Sequence, residues 1–124
     1  MNVNHKFAAI DIGTNAIRLL FYNIYLDLKG EPQFKKIALT RVPIRLGEDV
    51  FITNKISKEK IELLRKTMVA FKNLMDVHGV IDYMACATSA MREAENAEDV
   101  KKYIKKETGI EIKTISGDME ADLI

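Results

Sequence analysis

The stretch Asp11-Ile12-Gly13-Thr14-Asn15 has residue types that can bind phosphate and a cation. A glycine in a turn lets the backbone approach a phosphate closely, and consecutive N–H groups can bind its oxygens. The side chains of Thr14 and Asn15 add donors, and Asp11 can bind Mg²⁺ through oxygen. Ordinary hairpin turns use the same residue types. The residues alone therefore leave two interpretations, a phosphate-binding loop or a plain turn.

Three charged side chains are candidates for the same chemistry. The guanidinium of Arg92 can hold phosphate oxygens with two hydrogen bonds, or it can be a solvated helix residue paired with a nearby glutamate. Arg45 can face a phosphate site or simply be an exposed basic residue on an edge strand. Glu120 lies near the start of a predicted helix, where a carboxylate can activate water or merely complement the helix dipole.

Composition excludes several classes of function. Nineteen basic residues balance eighteen acidic ones, so no overall field favours nucleic acid or an anionic membrane. The single cysteine, Cys86, excludes an internal disulfide and lies in an apolar run, as expected of an inert core thiol in a reducing, cytoplasmic compartment. His5 and His78 are isolated, so neither a zinc site nor a Ser-His-Asp arrangement is indicated.

The elements that must position these residues follow from hydrophobic periodicity. The three- and four-residue spacing of apolar residues from Ile61 to Met75 predicts a helix between a Ser57 N-cap and Gly79. The other predicted elements are strands at Phe7–Ile12, Ala16–Leu26, Phe34–Leu46, Val80–Ala87 and Glu111–Ile115, and helices from Ser89 to Glu95, from Asn96 to Gly109 and from Ser116 onward. A three-strand meander followed by two strand–helix–strand units predicts a mixed five-stranded α/β sheet in one domain, residues 1–124.

Four stretches together resemble the exopolyphosphatase/guanosine pentaphosphate phosphatase (Ppx/GppA) family. FAAIDIGTNAIRLL (Phe7–Leu20) is similar to its first strand, phosphate loop and second strand. The others are the segment Arg45–Glu48, the motif ATSAMREAENA (Ala87–Ala97) and the signature ISGDMEADLI (Ile115–Ile124). The resemblance implies the N-terminal lobe of a ribonuclease H-like, actin-like ATPase fold. The family's second phosphate loop does not occur in these residues, which predicts a chain cut short before a second lobe.

The resemblance implies a role for each matching residue. Glu120 matches the catalytic glutamate that activates water, and Arg92 matches the phosphate-binding arginine. Arg45 lies in the matching Arg-Leu-Gly-Glu segment and is a further candidate for phosphate binding. The loop residues Gly13, Thr14 and Asn15 match the phosphate loop, and Asp11 matches its metal-associated aspartate, with Mg²⁺ or another divalent cation as cofactor.

Two departures lie beside the matched glutamate. Met119 replaces a glutamate and Asp122 replaces an arginine of the family pattern, which changes the local charge. The implied activity is removal of terminal phosphate from polyphosphate or guanosine pentaphosphate, by a protein that forms a homodimer at full length. The alternatives are a nucleotide-dependent kinase or ATPase of the same superfamily, or a phosphate-binding lobe without turnover.

Overall fold

The observed elements follow the hydrophobic pattern of the chain closely. A computed structural model describes residues 5–115, and of residues 38 and 39 the backbone alone. In chain order the elements are β1 (His5–Ile12), β2 (Ile17–Leu26), β3 (Pro32–Val42), α1 (Leu46–Thr53), α2 (Lys58–His78), β4 (Asp82–Ala87), α3 (Ser89–Glu93), α4 (Ala97–Thr108) and β5 (Ile112–Thr114). The helix predicted from Ser116 lies outside the described residues.

The strands form one mixed sheet of five, in the order β3-β2-β1-β4-β5. β2 is antiparallel to both β1 and β3, whereas β4 is parallel to both β1 and β5. The predicted mixed five-stranded α/β sheet is therefore confirmed. The same arrangement makes β1 the strand at which the sheet changes from antiparallel to parallel pairing.

The hydrophobic core lies between one face of the sheet and α2 and α4. On α2 the side chains of Leu64, Met68 and Phe71 are at most 1% exposed, as their spacing predicts. They pack in one cluster with alternate residues of β1, including Ile10 and Ile12. Burying one such side chain stabilises the fold by about 1.5–3 kcal/mol, so this stripe fixes α2 on the sheet.

The predicted ends of α2 are confirmed. The hydroxyl of Ser57 accepts a hydrogen bond from the backbone N–H of Lys60 at 3.3 Å, which satisfies one free donor of the first turn. Gly79 ends the helix with a φ of 72°, a left-handed conformation that glycine adopts without a steric penalty. α4 ends in the same way at Gly109.

The chain between β3 and α2 differs from the prediction. β3 ends at Val42 and not at Leu46, because Pro43 has no N–H with which to continue the ladder. A proline in this strand predicts an edge position or a bulge, and β3 lies at the edge of the sheet. The residues that follow form α1, a helix of eight residues that no periodicity indicated, and whose buried residues Leu46, Gly47 and Val50 face the core.

β4 is buried along only half of its length. The apolar run Val80–Ala87 suits a strand that is buried on both faces of a sheet, but the first half of β4 is exposed and only Ala85, Cys86 and Ala87 are buried. β5 is three residues long and pairs with those three residues only. The burial predicted for Cys86 is confirmed, at 5% exposure.

Candidate functional site

Three parallel strands end side by side at one edge of the sheet. β1, β4 and β5 are adjacent and point in the same direction, so the segments that follow them meet there. The backbone N–H of Thr88 donates to the carbonyl of Ile12 at 3.2 Å, and that of Ile115 donates to the carbonyl of Ala87 at 3.0 Å. Ligands of open α/β sheets bind at this kind of edge. The predicted loop after β1 and the Arg92 segment after β4 are thereby brought together.

The loop after β1 is a tight turn with its own internal hydrogen bond. The N–H of Gly13 donates to the carbonyl of Ala16 at 2.9 Å. A Cβ atom at position 13 would lie 3.1 Å from that same oxygen, which is a tight contact. Within residues 5–115, the N–H groups of Thr14 and Asn15 make no hydrogen bond. The turn therefore uses the N–H of Gly13 internally, and those of Thr14 and Asn15 can bind a ligand.

The segment Arg45–Glu48 packs directly against this loop. Its central glycine, Gly47, is buried in the first turn of α1 and donates its N–H to the carbonyl of Thr14 at 3.0 Å. A Cβ atom at position 47 would collide with Cγ2 of Thr14. The side chain of Arg45, just before α1, is exposed. The contact shows that the two family-like stretches are one structural unit.

The carboxylate of Asp11 forms an ion pair with the side chain of Arg18. Arg18 lies opposite Asp11 in the β1–β2 ladder and donates to Oδ2 of Asp11 from Nε at 3.0 Å and also from Nη2. On the other side Asp11 pairs in register with Cys86. Burial raises the pKa of the Cys86 thiol, and the charge of Asp11 raises it further. Cys86 is therefore a neutral thiol at pH 7 and not a nucleophile.

Arg92 links the segment after β4 to the end of β5. Its Nη1 donates to the backbone carbonyl of Ile115 at 2.8 Å, while the residue as a whole is exposed. This single bond orients the planar guanidinium and leaves its other N–H groups without a partner among residues 5–115. The helix pair with Glu93 or Glu95, which the sequence left open, does not form.

The oxygen donors at this edge suit a cation held mainly by water and phosphate. Across residues 5–115, no group of three or more histidine, cysteine, aspartate or glutamate side chains could enclose a metal ion. Mg²⁺ in proteins commonly binds one or two carboxylates and takes its other ligands from water and substrate phosphates. Oδ1 of Asp11 makes no hydrogen bond to the described residues and can supply one such ligand.

The catalytic candidate of the sequence lies beyond the described part of the chain. Glu120, with Met119 and Asp122 beside it, falls in residues 116–124, which follow the end of β5 directly. Arg18 was not among the site residues predicted from the sequence. In a hairpin centred on the turn at residues 13–16, Asp11 and Arg18 lie at equal distances from the turn and face each other across the two strands. The pair could therefore have been predicted from the hairpin register.

A separate cavity lies on the helical side of the molecule. It has a volume of about 680 Å³ and is lined mainly by apolar groups around Ile61, Val100 and Tyr103. None of the residues at the strand ends contributes to it. The candidate phosphate donors Asn15 and Arg92 lie instead on an exposed surface.

Comparison with known proteins identifies the family. A family model described as the Ppx/GppA phosphatase family matches residues 26–124. The chain belongs to the Ppx/GppA phosphatase family. The family predicted from the four sequence stretches is confirmed, and so is the ribonuclease H-like, actin-like fold class.

Individual relatives agree in sequence and in structure. Exopolyphosphatase 1 of Mycobacterium tuberculosis is 33% identical over 118 residues, covering 95% of this chain and 33% of the relative. The Ppx/GppA family member of Aquifex aeolicus superposes with a TM-score of 0.84 at 28% identity, over 95% of this chain and 37% of that chain. An exopolyphosphatase from Cytophaga hutchinsonii gives 0.82 and 29%, over 97% and 37%.

This Ppx/GppA chain spans about a third of the length of these relatives. In the part that the structure describes, no helix is long and apolar enough to cross a membrane.

Proposed function

We propose that this Ppx/GppA chain is the phosphate-binding lobe of a phosphatase. The phosphatase removes the terminal phosphate of inorganic polyphosphate or guanosine pentaphosphate in the cytoplasm. One observation carries the proposal: the loop after β1, the Arg92 segment and the end of β5 meet at one edge of the sheet, with Arg92 bonded to the carbonyl of Ile115 at 2.8 Å. The names of the relatives support the same substrate class.

In this proposal the phosphate chain lies across the strand ends. The N–H groups of Thr14 and Asn15 bind phosphate oxygens from one side, together with the two side chains. The guanidinium of Arg92 binds them from the other side, because its orientation is fixed by one backbone bond. Its remaining donors make no hydrogen bond to residues 5–115 and can form charge-assisted bonds with phosphate. Gly13 keeps the turn tight, and Arg45 adds positive charge nearby.

A divalent cation such as Mg²⁺ fits beside Asp11. When bound, it would neutralise negative charge on the phosphate oxygens, which phosphoryl transfer requires. Asp11 would contribute Oδ1, since Arg18 occupies Oδ2. The pairing with Arg18 also keeps the carboxylate fixed at the end of β1, so that its free oxygen has a defined position.

Glu120 is the proposed base. It accepts a proton from a water molecule whose oxygen attacks the terminal phosphorus, and the bridging P–O bond breaks with its electrons leaving on the shortened phosphate chain. A phosphoanhydride is a good leaving group, so positioning and charge neutralisation supply most of the rate. The position of this segment directly after β5, at the bonded Ile115, supports the assignment.

The remaining groups are expected from the rest of the protein. Because this chain spans about a third of its relatives, we propose that a second lobe supplies the opposing phosphate loop, and that the whole protein is a homodimer that needs neither nucleic acid nor membrane. Residues 1–124 alone should then show no appreciable turnover, since each missing preorganised donor typically contributes about 3 kcal/mol to the transition state.

The test is release of inorganic phosphate from long-chain polyphosphate and from guanosine pentaphosphate with Mg²⁺. Residues 1–124 are compared with a protein that also contains the second lobe. Release by the longer protein without any nucleotide supports the proposal. Release only with ATP as phosphate donor would favour the kinase or ATPase reading, and metal-dependent binding without release would favour a lobe that lacks turnover. Equal rates from both proteins would contradict the two-lobe account.

A further inference from the structure

α1 touches the phosphate loop at its N-terminal end. The carbonyl of Thr14 accepts a hydrogen bond from the N–H of Gly47, one of the donors that the first helical turn cannot satisfy itself. The side chain of Thr14 packs against Gly47 closely enough that no Cβ atom fits there. Since Gly47 has an ordinary negative φ, space and not backbone conformation requires this glycine.

The opposite end of α1 is bonded to the segment that carries Arg92. Asn54, the left-handed residue that ends α1, accepts a hydrogen bond at its carbonyl from the N–H of Glu95 at 2.7 Å. Ile56, two residues after Asn54, is bonded to the side chain of Asn96. The N–H of Ile56 donates to Oδ1 of Asn96 at 3.0 Å, and Nδ2 of Asn96 donates to the carbonyl of Ile56 at 2.9 Å. Asn96 occupies the N-cap position of α4, but its side chain makes no capping bond and is bonded to the backbone of Ile56 instead.

Packing along the helix joins these two ends. α1 contacts α3, and the buried side chains Leu46 and Val50 of α1 lie in the same core cluster as Ala90 and Met91 of α3. α3 is the short helix on which Arg92 stands. A helix of eight residues held at both ends by backbone hydrogen bonds behaves as a rigid spacer of about 12 Å.

We propose that α1 is a strut that sets the separation between the phosphate loop and Arg92. Gly47 and Asn96 are positioning residues for that spacing. The inference rests on the proposed function only in assuming that both groups bind the same phosphate chain. The proposal gives a role to Gly47 and to Asn96, and neither residue needs to contact a ligand.

The steric argument at Gly47 is specific. A methyl group at position 47 would collide with Cγ2 of Thr14, so that atom must move. The second close neighbour is the ring of Phe51 at 3.1 Å, and this residue is 58% exposed and can move away. The effect of the substitution therefore falls on Thr14. Thr14 can respond by rotating, which moves its hydroxyl, or by shifting the loop, which breaks the bond from Gly47. Either response moves donors that face the phosphate.

The experiment is a double-mutant cycle on phosphate binding, with tripolyphosphate as the probe and calorimetry as the readout. Gly47→Ala should weaken binding at least about 10-fold, equivalent to about 1.4 kcal/mol. In a Thr14→Ser background, which keeps the hydroxyl and removes Cγ2, the same change should cost less than about 3-fold, since only residues in contact couple. Gly30→Ala is the control: its φ of 78° makes the change strained, but the site is distant and open, so affinity should not change.

Equal losses in the two backgrounds would overturn the proposal. Ligand-free amide spectra separate this result from failure of the proposed function. Gly47→Ala should shift the signals of Arg92 and Glu95, and Asn96→Ala should shift those of Thr14 and Asn15, even if the unaltered chain does not bind tripolyphosphate. If neither variant moves the signals at the opposite end, α1 is not a strut. Asn96→Ala alone decides the matter if Gly47→Ala fails to fold.

Discussion

Arg18 donates from Nε to Oδ2 of Asp11 across the β1–β2 ladder at 3.0 Å, so the carboxylate at the end of β1 is neutralised by the protein itself. A free aspartate beside a phosphate loop would repel the substrate until a cation arrived. The pair removes most of that repulsion and leaves one oxygen available. If the loop after β1 binds phosphate as proposed, it can therefore bind the anion before a metal ion is present.

Replacing Arg18 by alanine should destabilise the fold by about 1–2 kcal/mol, because it leaves a largely buried carboxylate without its charged donor. The free energy of unfolding, measured by denaturant titration, gives the value. Lys105→Ala is the matched control: its pair with Glu111 is 3.9 Å long and mostly exposed, so the loss should be under about 0.5 kcal/mol. Equal effects of the two changes would show that the Asp11 pair is only a surface contact.

Glu120→Gln in the protein with both lobes should lower turnover at least about 100-fold, since an amide cannot accept the proton from water. Tripolyphosphate affinity should remain close to that of the unaltered protein, because the amide keeps the size of the side chain. Steady-state phosphate release and calorimetry measure the two quantities. Near-normal turnover of the Gln variant would remove Glu120 from the mechanism.

Asp11→Asn should instead raise the Mg²⁺ concentration needed for half-maximal rate.

Arg92→Ala should weaken tripolyphosphate binding by about 10-fold or more, because an oriented guanidinium makes charge-assisted bonds. Arg45→Ala should cost about 3-fold or less, since its exposed side chain has no hydrogen bond within residues 5–115 to fix it. Arg65→Ala, on α2 and paired with Glu62, is the control for a general loss of positive charge. If Arg45 and Arg92 contribute equally, the bond to Ile115 has no role in orientation.

Tyr103→Phe should give a stability difference that depends on pH. The hydroxyl of Tyr103 donates to Glu62, and this bond lowers the pKa of Glu62 and raises the pKa of Tyr103. The lowered pKa gives stability that is present above about pH 4.3 and lost as the pH falls through the folded value. The raised pKa gives stability that is present below about pH 10 and lost as the pH rises through the folded value.

The variant should therefore be less stable than the unaltered chain between about pH 5 and 9. The difference should shrink only as the pH falls through the lowered pKa of Glu62 or rises through the raised pKa of Tyr103. Denaturant unfolding at a series of pH values measures the difference. Tyr83→Phe serves as control, because the hydroxyl of Tyr83 makes no hydrogen bond to residues 5–115 and its removal should leave no pH-dependent difference. A constant difference at every pH would mean that Tyr103 acts through packing alone.

Periodic and turn-forming residues made most of the fold predictable. The stripe of α2 and its end at Gly79 depend on local rules that the sequence displays directly. α1 could not be found in this way, because its first turn is capped by the carbonyl of Thr14, more than thirty residues earlier in the chain. The half-exposed β4 was missed for a related reason: its cover depends on the length of β5, not on its own residues.

In the candidate site, too, some residues could be recognised from local sequence and others could not. Asp11, the phosphate loop and Arg92 were recognisable because their types match a known pattern, and the structure brings these residues to one edge. The partners that fix them were not recognisable, since the bonds from Arg18 to Asp11 and from Arg92 to Ile115 depend on register and topology. Glu120 stays a prediction from the family pattern.

The change of pairing at β1 has a consequence for the order in which the site is assembled. Its contacts with β2 close a tight hairpin and are local in sequence, whereas its contacts with β4 join residues far apart and require α1 and α2 to be in place. Local contacts lose less loop entropy and form sooner. We therefore expect the β1–β2 hairpin, with the loop after β1, to form before β1 pairs with β4. The segment that carries Arg92 would then join the site in a later folding step.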